Sequence, residues 1–232
     1  MGEPSPRVED AGMVSVRVLI VDDHLVFAEA LSVRLGTEPD IEVVGVVTTA
    51  EGARATVARA GVDVAVVDVR LGPADGVDLV RWLAVKEPSV KVIVLTGHDN
   101  GRTATAAVKA GARAFLGKGT SATGVVEVIH AVQRGESCIP GPLLTDVLRS
   151  LRLDPRHDPG EGLLARLSAR EREVLDLMVA GCDRNTIAEQ LYLSPETVRT
   201  HTQRILSKLE VHSGVEAVAV ALSAGARPRR AG

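Results

Sequence analysis

The chain has 232 residues, 45% hydrophobic and 25% charged, with a mean hydropathy of +0.15 and a net charge of -3. This is the make-up of a folded protein of one large domain or two ordinary ones, not of a disordered chain. No apolar run approaches the roughly 20 residues of a membrane span, four aromatics (Phe27, Trp82, Phe115, Tyr192) offer no stacking platform for single-stranded bases, and Cys138 and Cys182 lie too far apart for a metal-ligand pair or a disulfide framework.

Residues 1–14, beginning MGEPSPRVED, lack the apolar core of a secretory signal and read as a flexible tail, so a cytoplasmic setting without membrane is expected. Five short β-branched runs follow: VRVLIV (16–21), IEVVGVV (41–47), VDVAVVD (62–68), VKVIVLT (90–96) and ARAFLGK (112–118). Between them lie stretches with helical periodicity, such as 27–35, 77–85 and 124–132. Near-continuous apolar strands alternating with helices predict an α/β doubly wound, five-stranded parallel sheet covered on both faces. The pattern breaks at 134–162, where Pro and Gly gather around a short helix at 143–151; this marks a linker over 135–162. From 163 onward strand signals vanish and four helices are predicted. Ser168 with Glu171 forms a capping box for a helix that Gly181 stops. Asp183 caps a second, Ser194 with Pro195 starts a third to about 209, and Ser213 starts a fourth to about 222. Residues 1–162 carry 17 Lys+Arg against 22 Asp+Glu, whereas 163–232 carry 10 against 8, a shift from -5 to +2 that permits a nucleic-acid partner at the C-terminal end.

Open parallel sheets do their chemistry at the carboxyl ends of the strands. Those ends read Asp22-Asp23, Asp68, Thr96 and Lys118. Three converging carboxylates repel and need a cation, and all-oxygen ligands select a hard ion such as Mg2+. Lys118 and Thr96 are suited to grip phosphoryl oxygens. Neither GxGxxG after the first strand nor GxxxxGK[ST] occurs, which disfavours a nucleotide cradle.

The motifs VDDH (21–24), VVDVRL…DG (66–76), VIVLTGHD (92–99) and AFLGK (114–118) resemble the receiver domain of two-component response regulators, over about 15–134. The resemblance implies that Asp68 is the phosphoacceptor, that Asp22, Asp23 and Asp68 hold Mg2+, that Thr96 and Lys118 assist, and that Thr96 and Phe115 transmit the state. It also implies that Arg70 and His98 border the path of the hydrolytic water. The proline usual four residues after the phosphoacceptor is Gly72 here, with Pro73 following.

LSAREREVLDLMVAGCDRNTIAEQLYLSPETVRTHTQRILSKLEV (167–211) has the layout of a helix-turn-helix. Its third helix keeps one face polar, with Arg199, Thr200, Gln203, Arg204, Ser207 and Lys208; such side chains reach base edges and phosphates in the major groove. The segment 163–222 resembles the LuxR-type output domain of the NarL/FixJ class, and a DNA-binding domain over 163–232 is expected. By that likeness 197–208 is the recognition helix: Thr197, Arg199, Thr200, Gln203 and Arg204 are the DNA contacts, Lys208 a backbone contact, and Val215, Val218, Ala219 and Leu222 a dimer surface. The family's Ser-Asn-Lys-Glu after the glycine turn is replaced by Asp183-Arg184-Asn185-Thr186.

The expected protein is a phosphorylation-controlled transcriptional regulator, not an enzyme. Its expected partners are a sensor histidine kinase, double-stranded operator DNA and a second copy of itself when phosphorylated. A regulator of the same architecture governed by a ligand or partner is the alternative, and the complete set of Asp22, Asp23, Asp68, Thr96 and Lys118 argues against it. A phosphohydrolase of the haloacid dehalogenase type would need Asp-x-Asp on the first strand, where Asp22-Asp23-His24 stands.

Overall fold

The computed structural model describes residues 15–72, 74–97, 101–152 and 163–226. The predicted tail, His98 and the later part of the linker lie outside them. Strands β1 (Val16–Val21), β2 (Ile41–Val47), β3 (Val64–Val67), β6 (Lys91–Thr96) and β7 (Ala114–Gly117) form one parallel sheet in the order β2-β1-β3-β6-β7. Helices α1 (Leu25–Leu35), α2 (Ala50–Ala60), α3 (Gly76–Lys86), α4 (Gly101–Lys109) and α5 (Ala122–Gln133) cover it. The sheet is apolar on both faces because both are packed: Leu19, Val21, Ala65, Val67, Val92, Val94 and Phe115 meet α2, α3 and α4, while Val18, Ile20, Val64, Val66, Ile93 and Leu95 meet α1 and α5. Each such Val or Leu stabilises by roughly 1.5–3 kcal/mol through lost apolar hydration.

Two features were absent from the periodicity. After Asp68 the chain makes a small antiparallel ribbon, β4 (Arg70–Leu71) with β5 (Ala74–Asp75). Its Gly72 adopts φ +61, which the ring of a proline forbids; the exchange of Gly for Pro at 72 is therefore what lets this turn form. The first linker residues extend the sheet: the Phe115 amide donates to the Cys138 carbonyl and the Cys138 amide to the Arg113 carbonyl. The short helix predicted in the linker is longer, α6 (Gly141–Arg152), and its apolar stripe packs on α4 with Val147 and Leu151 fully buried. Residues 135–152 are thus built onto the sheet rather than strung beside it.

The C-terminal helices are α7 (Ala169–Val179), α8 (Arg184–Leu191), α9 (Pro195–Leu209) and α10 (Gly214–Ser223), preceded by a 3-10 turn at Leu164–Arg166. Ser168, Asp183, Ser194 and Ser213 each accept a backbone N–H as cap, with both halves of the Ser168/Glu171 box made. Val174, Leu175, Ile187, Val198, Ile205, Leu206, Leu209 and Val220 form a separate core. Ala219 joins the receiver-side core instead, with Val215 packed against it, so α10 is shared between α6 and the helix-turn-helix.

Gly76 starts α3 where the chain doubles back beneath Asp68. A Cβ there would run into the Asp68 carbonyl oxygen and the Val69 backbone. Gly76→Ala is expected to lower stability by about 1–3 kcal/mol in urea denaturation, while Gly72→Asn, at a turn with open space and a backbone Asn tolerates, stays near wild type.

Candidate functional site

The parallel order sets the ends of β1 and β3 side by side, with Val21 paired to Val67, so Asp22 and Asp68 emerge together; both are buried, at 2% and 3% exposure. Lys118, beyond the end of β7, reaches across to both. Its Nζ lies 2.6 Å from Asp22 Oδ2 and 2.8 Å from Asp68 Oδ2. Burial alone would pull the Lys118 ammonium down, but its hydrogen bonds to the two carboxylates outweigh that and hold it above its ordinary value. Asp23 stands at the rim, accepting from the Gly72 amide at 2.9 Å. Burial raises its carboxyl, but that amide and the His24 imidazole outweigh it and leave it below the ordinary range. The Arg70 amide donates to Asp68 Oδ1 at 3.2 Å.

His24, to which the sequence reading gave no role, belongs to this cluster. Its Nδ1 is 2.8 Å from Asp23 and 3.9 Å from Asp68, and one ligand atom from each of Asp22, Asp23, His24 and Asp68 falls within a 4.8 Å span. Its place in VDDH, next to two acids, was the available signal. Three carboxylates against one ammonium leave a formal charge of -2 here. Two of those carboxylates are buried, and oxygen donors dominate; this fits a hard dication such as Mg2+.

Thr96 ends β6 at 2% exposure, and its carbonyl accepts from the Lys118 amide at 2.7 Å. Phe115 is fully buried on the same side of the sheet as Ala104, Ala107 and Val108 of α4 and Val147 of α6. The residues read as a switch therefore line one core that runs from the acidic edge to the linker helix.

In the helix-turn-helix, Thr200, Gln203 and Arg204 are exposed on one face of α9. Thr197 is half-buried against its cap, 2.8 Å from Ser194 Oγ. Arg199 pairs with Glu196 at 3.4 Å and turns toward the receiver; a methyl group on Gly135 would meet its Cγ at 4.0 Å. Lys208 ends the same stripe with its side chain 39% exposed, and its Nζ donates to Glu171 Oε2 at 2.7 Å, beneath the capping box. Arg184, another residue without an assigned role, donates to the Arg134 carbonyl and lies 3.7 Å from Glu136. His212 and Glu216 face Arg113; burial and that guanidinium hold the His212 imidazole below its ordinary value.

Residues 18–130 match the response regulator receiver domain, and residues 165–221 match the LuxR family of bacterial regulatory proteins. The transcriptional regulatory protein DegU of Brevibacillus brevis is 31% identical over 90% of this chain and 94% of its own. The DNA-binding transcriptional activator DevR/DosR of Mycobacterium tuberculosis is 30% identical over 89% and 94%. Among solved structures, the RcsB response regulator of Salmonella typhimurium superposes with a TM-score of 0.53 at 23% identity, covering 91% of this chain and all of that one, a likeness of fold. The chain belongs to the two-component response regulators, in the NarL/FixJ class that joins a receiver domain to a LuxR-type helix-turn-helix domain.

The Lys208 ammonium and the Ser168 amide, against the opposing effect of burial, hold the Glu171 carboxyl below its ordinary value of 4.5. A carboxyl depressed by folding stabilises above its unfolded value, and that contribution is lost as pH falls through the folded one. Thermal unfolding of the wild type is therefore expected to worsen on acidification below about pH 4.5, with a flatter acid limb in Glu171→Gln. Lys208→Met, which strands the buried carboxylate, should cost ~1–3 kcal/mol at neutral pH.

Proposed function

We propose that Asp68 accepts a phosphoryl group from a sensor histidine kinase, that Asp22, Asp23 and Asp68 hold Mg2+ for the transfer, and that the phosphorylated chain binds operator DNA as a homodimer in the cytoplasm. The functional units of this reading are a receiver over 15–134 and a DNA-binding domain over 163–232, joined through 135–162. The observation that carries it is the Lys118 ammonium bridging the buried Asp22 and Asp68 carboxylates.

Bound at the three carboxylates, Mg2+ supplies positive charge to the oxygens of the group in transfer. Asp68 provides the nucleophile. Its carboxylate oxygen bonds to phosphorus as the N–P bond of the donor phosphohistidine breaks, and the electron pair stays on the imidazole. Lys118, already on Asp68 Oδ2, is placed to follow the charge onto a phosphoryl oxygen, and the Thr96 hydroxyl at the adjoining strand end donates to another. The new dianion draws Thr96 toward it, and Phe115 repacks into the volume released. α4 and α6 share the core around Phe115, so the change reaches the linker helix. In the resting chain α6 covers Val215 and Ala219 of α10; their exposure on opening offers a second copy the apolar face that the family resemblance assigns to dimerisation. Gln203, Arg204 and Thr200 then read base edges beside Arg199, freed from the receiver. The name of DevR/DosR, a DNA-binding transcriptional activator, supports the output half of this reading.

Incubation with acetyl phosphate and Mg2+ is expected to add one phosphate to the intact mass, and Asp68→Asn to accept none while keeping the wild-type circular dichroism spectrum. Normal phosphorylation of that variant would overturn the assignment. On DNA, Arg199→Ala should weaken an operator by about 1–3 kcal/mol if the guanidinium pairs with a guanine, and random duplex much less. Equal losses on both, measured by fluorescence anisotropy, would make Arg199 a phosphate contact only.

A further inference from the structure

Tyr192, the only tyrosine in the chain, stands in the turn between α8 and α9 with 96% of its surface exposed. It is also one of two non-glycine residues with positive φ among those described, at φ 54, ψ 46. Its backbone does the work of that position: the amide caps α8 through the Ala188 and Glu189 carbonyls. A glycine does this without strain and an asparagine with little. The other positive-φ residue, Glu210, has its carboxylate 2.9 Å from Arg166. The Tyr192 ring buries nothing and rests on nothing, so its size and apolar character have no account in the fold.

The position supplies one. The turn is fixed rigidly: the Arg170 guanidinium holds the Leu191 carbonyl, the Leu193 amide donates to Ala188, and Ser194 caps α9 two residues beyond Tyr192. A recognition helix enters the major groove by its N-terminal end, so the turn before it lies at the groove's rim, among phosphates. No lysine or arginine stands between Arg184 and Arg199. Arg170, the guanidinium at this turn, is engaged by the Leu191 carbonyl and by Glu173, so anchorage at this rim falls to neutral donors, and a phenol reaches furthest. Arg184 and Arg199 face the receiver in the resting chain, whereas Tyr192 is open to solvent without any rearrangement. We propose that Tyr192 is a DNA-backbone contact, its hydroxyl donating to a phosphodiester oxygen on the strand that borders the groove occupied by α9. This rests on the DNA-binding reading above.

The test uses the full chain and a random-sequence 30-base-pair duplex, followed by anisotropy over a series of salt concentrations. Tyr192→Phe, which removes only the hydroxyl, is expected to weaken binding about 3- to 10-fold, the loss of one hydrogen bond. It should leave the slope of log K against log salt unchanged, because a neutral donor releases no counterion. Tyr192→Gly should weaken binding at least as much while raising the thermal midpoint, since it relieves the left-handed strain. Wild-type affinity in both variants overturns the proposal while the DNA-binding reading stands. Loss in the glycine variant alone overturns the hydroxyl as the contact. Failure of the wild type to bind duplex even at low salt removes the DNA-binding reading, and the proposal with it.

Discussion

Two carboxylates almost out of water, Asp22 and Asp68, are tolerable only because one ammonium lies between them. Removing carboxylates from water costs several kcal/mol apiece, and two together repel; a partner at hydrogen-bond distance to both is the condition for burying either. That condition dictates much of the receiver. The ends of β1 and β3 must be neighbours, and a lysine must arrive from β7, across β6, at the same edge; the order β2-β1-β3-β6-β7 does both. The neutralisation is incomplete by design of the charges, since Asp23 adds a third carboxylate held at the rim by the Gly72 amide. A site left at -2 has its strongest attraction for a dication, and the lysine that makes the resting cluster bearable is the same group that, in the proposed transfer, would meet a phosphoryl oxygen.

The consequences of a change at this edge follow from packing. Phe115, the α4 alanines Ala104 and Ala107, Val147 and Leu151 of α6, and Ala219 of α10 belong to one contiguous cluster. Interiors packed at crystal density do not deform continuously, so a ring that changes rotamer at one end must be accommodated at the other. Asp146 of α6 sits so close to the first turn of α4 that a Cβ on Gly101 would approach its Oδ2 to 2.7 Å. A carboxylate at that helix end is favoured by the helix dipole. It ties the linker helix to the end of α4 that follows the loop after Thr96.

What the sequence disclosed and what it hid divide by range. Strand ends, helix starts and the helix-turn-helix were legible because their signals are local: Ser168 with Glu171, Asp183, Ser194 and Ser213 all cap through residues three positions away. The acidic cluster was legible because a parallel sheet puts strand ends on one edge whatever the loops do. Lys208 was not, because its partner Glu171 lies 37 positions away and a lysine on a polar stripe looks the same paired or free. Arg184 reaches 50 positions back to the receiver, and the β4–β5 ribbon depends on a positive φ at Gly72 that composition does not declare. The third strand was over-read at its start, 62 against Val64, since Val62 at the loop border is as apolar as a valine in the ladder; at its end Asp68 stands one residue past the last ladder position, Val67.

The contact between the two halves is built from charges that largely oppose one another. Burial, then Arg113, then Arg199 of α9 lower the Lys91 ammonium. His212 faces Arg113. Against these stand Glu136, beside Arg184, and Glu216, beside Arg113. The receiver thus does not imitate DNA with an acidic surface; it meets α9 and α10 with charges of both signs, Lys91 and Arg113 beside Glu136. The net polar attraction is small, and the apolar share, Val215 and Ala219 of α10 on the α6 face, is a few methyl groups. Closure of this kind is worth only a few kcal/mol. That smallness is a requirement of a switch, because a modification shifts an equilibrium by no more than its difference in energy between the two states. A closed form locked by a large apolar interface would ignore a single phosphate. In the proposed mechanism this one, held by few apolar side chains and by charges of mixed sign, lies within reach of the packing change that a phosphoryl group at Asp68 would bring about.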